Sequence, residues 1–115
     1  MTPAQFDKAC LDLPGATMDV QWGDDHVYKV GGKMFAVTGS AGKSFSFKAS
    51  DIAFEALTQS GRGKPAPYLA RAKWVWFEDL TKMDAAEVAD WLVTAHGLIA
   101  ARLTKAKQRE LGLIA

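Results

Sequence analysis

Cysteine is nearly absent from this chain: Cys10 stands alone, so no internal disulfide can form. A reduced, cytoplasmic setting is the expectation. Cys10 falls on the apolar stripe of the first expected helix and reads as a small buried hydrophobe. No apolar run approaches the roughly 20 residues that cross a bilayer. Met1 to Cys10 also lacks the basic start and apolar run of a secretory leader. Charge of one sign is missing too: the formal net charge is +1, so any anionic partner must be met by a local patch. The only histidines are His26 and His96, far apart in sequence.

What is present suits one globular domain. A chain of 115 residues, 49% apolar and 23% charged, is long enough to bury a core without a disulfide or metal. Charge is distributed in blocks. Residues 29–73 carry Lys29, Lys33, Lys43, Lys48, Arg62, Lys64, Arg71 and Lys73 against only Asp51 and Glu55. The flanking segments on both sides are acidic, and the tail is basic. The middle block is where a positive surface is expected.

Local signals give the element order. Thr2, Pro3 and Gln5 form a helix start with a capping box, and Pro14-Gly15 ends that helix. Met18, Val20 and Trp22 alternate with polar residues, as in a strand. His26 to Val30 and Lys33 to Thr38 flank Gly31-Gly32 and read as a hairpin with a two-residue loop. A regular register puts His26, Tyr28, Val30, Phe35 and Val37 on the core face, and Val27, Lys29, Met34, Ala36 and Thr38 on the outer one. Ser44 to Lys48 forms a further strand, with Phe45 and Phe47 inward and Ser46 and Lys48 outward. A short helix follows a Ser50 or Asp51 cap and stops at Gly61, and residues 61–67 form a loop. Lys73 to Glu78 is apolar on both faces and is expected to be covered on both. Asp84 and Glu87 open a long helix, and Thr104 is placed to cap a last one. The sum is an α+β fold, an antiparallel sheet packed by N-terminal and C-terminal helices, in a single domain over residues 1–115.

Candidate chemistry is sparse. Gly39 to Ser44 ends like a phosphate-binding loop, but it lacks the leading glycine and runs into a strand rather than a helix, so a hairpin turn is expected. Asp24, Asp25 and His26 hint at a metal site. Neighbours on a strand point opposite ways, though, so a structural turn is preferred and no metal ligand or cofactor is assigned. No catalytic acid, base or nucleophile is nominated. Trp22, Trp74 and Trp91 are expected in the core, leaving Tyr68 as the one aromatic for stacking.

The segments "CLDLPGAT", "GGKMFA", "SFSFK" and "PYLARAKWVWFEDL", in that order and spacing, resemble the MmcQ/YjbR family of small bacterial proteins. Many members carry histidine before the tryptophan that follows the Pro-Tyr segment. Here it is Lys73, so no role of that histidine carries over. The resemblance implies a CyaY-like fold and DNA binding through a "double wing" of hairpins. The expectation is a non-enzymatic module contacting duplex DNA with little sequence preference, through Lys29, Lys33, Lys43, Lys48, Arg62, Lys64, Tyr68, Arg71 and Lys73. The alternative is a small-ligand or protein-interaction domain, with its pocket between the sheet and residues 61–71. Iron handling, which the CyaY-like fold also suggests, would need more carboxylates than Asp7 and Asp12 on the first helix.

Overall fold

The computed structural model describes residues 1–39 and 42–114. Its elements are α1 (Pro3–Leu11), β1 (Ala16–Gln21), β2 (Asp25–Val30), β3 (Lys33–Thr38), β4 (Phe45–Lys48), α2 (Asp51–Gln59), β5 (Lys64–Pro65), β6 (Trp74–Phe77), α3 (Ala85–Ala100) and α4 (Lys105–Glu110). Short 3₁₀ turns at Ala70–Ala72 and Leu80–Lys82 flank β6. The strands form one antiparallel sheet in the order β1-β2-β3-β4-β6-β5.

The helix starts follow the cap chemistry. Thr2 and Gln5 close a reciprocal capping box on α1, while Ser50 and Thr104 cap α2 and α4. At α3 only half of the expected box forms: Asp84 accepts from the Glu87 backbone N–H, but the Glu87 side chain turns to Arg62 instead.

The β2–β3 hairpin departs from the regular register. Gly31 and Gly32 both have positive φ, as a two-residue turn between right-twisted strands requires. Beyond it, Lys29 pairs with Met34 but Tyr28 pairs with Ala36, so Phe35 is an extra, bulged residue. The bulge reverses the alternation that follows it. Ala36 and Thr38, expected outside, are buried on the helix side, and Val37, expected in the main core, joins Val27 on the outer face.

Two apolar layers result. On one face, α1 and α3 cover Tyr28, Val30, Phe35, Phe45, Phe47, Val75 and Phe77. Phe45 and Phe77 stack at 5.0 Å, and Trp91 of α3 lies 5.3 Å from Phe47 and 5.1 Å from Phe77. On the other face, residues 66–72 fold back so that Ala66, Leu69 and Ala72 cover Trp74, Val27 and Val37. This is why β6 is apolar on both sides. The segment approaches closely because β5, which lies within the expected loop, pairs with β6. A Cβ on Gly63 would sit 2.6 Å from Val75 Cγ1, so only glycine fits there.

Candidate ligand groove on the outer sheet face

The basic residues singled out from sequence divide into groups. Lys29 lies on the outer face with its Nζ 3.0 Å from Asp19. Lys48 is buried and donates to the Ala72 carbonyl. Burial holds its pKa below the ordinary lysine range, Arg102 and Lys73 add to that, and Asp51 opposes it. Arg62 forks onto Glu87, with Nη1 3.2 Å from Oε2, and its guanidinium lies 5.6 Å over the Trp91 ring. The Lys64 ammonium is 6.0 Å from the Trp76 ring centre, and that of Lys73 is 5.0 Å from Phe54. Lys33, Lys43 and Arg71 are exposed and, among the described residues, form no ion pair.

These positions do not gather at one end of the sheet. Lys33 stands at the β2–β3 turn, the end of the sheet shared by Lys48 and Lys73. Lys43 precedes β4 at the opposite end, roughly 20 Å away along a six-residue strand. Arg62 is held by Glu87, near the start of α3 and at that same far end.

Between those ends, the outer face carries a groove of about 490 Å³ lined by Trp22, Asp25, Met34, Val37, Ser46, Pro67, Tyr68 and Leu69. It lies between the sheet and the loop that follows β5. Trp22, expected in the core, is 63% exposed, and Tyr68 projects fully into solvent. Both have left-handed backbones, with φ of 50° and 65°. That is costly for bulky side chains. For Trp22 it also explains the departure from expectation. The strand ends at Gln21, and the reversed backbone breaks the alternation that would have aligned Trp22 with Met18. The one hint in the sequence is the glycine that follows, in a turn tight enough to strain its neighbour.

A second cavity of about 490 Å³ is lined by Pro3, Ala4, Asp7, His26, Thr38, Gly39 and Gly42. The buried Tyr28 hydroxyl donates to Asp7 Oδ1 at 2.9 Å, and burial, reinforced by Asp7, raises the phenol pKa. The Gly39 N–H bonds the Ser44 carbonyl at 2.9 Å, and β3 and β4 pair antiparallel on either side of the motif, as expected for a hairpin. Ser40 and Ala41 of that motif lie outside the described residues. His96 is buried, with Nε2 donating to the Pro14 carbonyl at 2.7 Å, a structural role. Among the described residues, no group of three or more His, Cys, Asp or Glu side chains is arranged to hold a metal ion, and no helix is long and apolar enough to cross a membrane.

The fold has a solved counterpart. The crystal structure of Deinococcus radiodurans protein DR2400, which carries the family domain DUF419, superposes with a TM-score of 0.84 at 25% identity, covering 96% of this chain and 88% of that one. No curated protein matches the sequence. The family model for YjbR matches residues 11–98, from the end of α1 through most of α3, and the chain therefore belongs to the YjbR family.

Proposed function

We propose that this YjbR-family domain is a non-enzymatic binding module whose ligand site is the outer-face groove. One observation carries this reading: two large exposed aromatics, Trp22 and Tyr68, are both held in left-handed backbone on the rim of one apolar groove. Each such conformation costs on the order of 1–3 kcal/mol and persists only where the surroundings impose it. The groove's volume suits a small molecule, and its lining is mainly apolar, with few polar groups. Nothing basic lines it, so it is no phosphate site.

The test is a chemical-shift survey of the ¹⁵N-labelled protein against small soluble aromatic and aliphatic probes. Shifts should centre on the Trp22 indole N–H and the amides of Met34 and Leu69, and weaken in Tyr68→Ala. Shifts confined to the cavity beside His26, or none, would overturn the reading.

A second reading is duplex-DNA binding, favoured by the exposed Lys33, Lys43, Lys64 and Arg71, which make no ion pair among the described residues. Against it weigh the neutralisation of Lys29 by Asp19 and of Arg62 by Glu87, the burial of Lys48, and the spread of the remaining charge over both ends of the sheet.

A further inference from the structure

Resting on the assignment of the groove as a ligand site, we infer that its ligand is a small organic ammonium, a cationic head on an apolar body. The groove's one charged lining group is Asp25, half-buried at the start of β2. Among the described residues its carboxylate accepts no hydrogen bond and pairs with no base. The one lysine of β2, Lys29, is engaged by Asp19 at 3.0 Å. Asp24, exposed and next to Asp25 in the chain, adds a second negative charge to this turn. The faces of the Trp22 and Tyr68 rings are also regions of negative potential, and such rings bind ammonium groups through their quadrupoles.

Each other ligand class leaves a penalty. A phosphate or carboxylate would meet Asp25 as a like charge. A neutral aromatic would take water from the Asp25 carboxylate and give nothing back. An ammonium head satisfies the carboxylate and the two rings together, while Met34, Val37 and Leu69 accept its apolar body.

A pair of probes that differ in charge and hardly in shape decides the matter: choline and 3,3-dimethylbutan-1-ol. Titrated into the unmodified protein and read at the Trp22 indole N–H, choline should bind about tenfold more tightly than the alcohol. In Asp25→Asn, with its fold checked by amide dispersion, the gap between the two affinities should narrow, the remainder being the attraction of the Trp22 and Tyr68 rings. If the alcohol binds as well as choline, the ammonium assignment is overturned and the groove remains a ligand site. If neither probe shifts Trp22, and apolar probes fail there too, both readings fall. The isostere comparison needs no variant, so it decides even if Asp25→Asn unfolds.

Discussion

Trp22 and Tyr68 have φ of 50° and 65° without being glycine, and they gain little burial in return. Replacing either by glycine removes the Cβ clash that makes this backbone costly. Trp22→Gly and Tyr68→Gly should each raise the unfolding free energy by about 1 kcal/mol in urea denaturation, while weakening probe binding. Stability and binding would then move in opposite directions, which a purely structural role for these residues would not give. Lys48 is the second informative residue. Its folded pKa is depressed, chiefly by burial, so between that value and the ordinary lysine value of about 10.4 the unfolded chain binds more protons. Its contribution to stability is therefore unfavourable below the folded pKa and is relieved as pH rises through this alkaline window. Lys48→Met should remove that rise, measured as the slope of stability against pH. The burial of Lys48 was not legible in sequence. Its alternation with Ser44 and Ser46 marks the outward side of β4 correctly, and only the return of Ala72 over that side turns outward into buried.

Elements with local signals were legible because their determinants lie within a few residues of one another. The caps at Thr2, Ser50, Asp84 and Thr104 and the glycine pair between β2 and β3 all act where the sequence places them. What escaped depends on distant partners. The bulge at Phe35 exchanges Val37 with Ala36 and Thr38 across the sheet, and nothing within β3 announces it. β5 exists because Lys64 and Pro65 find Trp76 and Val75, and it brings Gly63 against Val75 and Phe77. Gly63→Ala should cost about 1–3 kcal/mol by overpacking, read as a lowered midpoint of thermal unfolding. Groove binding should fall with it, because β5 leads directly into the segment that carries Pro67 and Tyr68.

In the folded molecule the basic block is partly neutralised by acids from outside it, Lys29 by Asp19 and Arg62 by Glu87. If duplex DNA binds at all, the dispersed lysines allow few simultaneous phosphate contacts. A titration of labelled duplex at two salt concentrations should then give weak binding and a shallow salt slope, changed by about one unit or less in Lys43→Ala. A steep slope would restore the nucleic-acid reading. The α+β class was legible from the order of helical and strand periods, and a pocket between the sheet and residues 61–71 was one of the two expectations; the part played by Trp22 and Asp25 was not legible, because the turn after β1 and the loop after β5 are more than forty residues apart. The four tryptophans have one more consequence. Trp74 is sealed under the 66–72 segment, Trp76 is half-covered and Trp91 is stacked between core phenylalanines, so Trp22 alone is broadly open to water. An aqueous quencher such as iodide should therefore extinguish one emitter in four, and any ligand that settles in the groove should shield that fraction of the light.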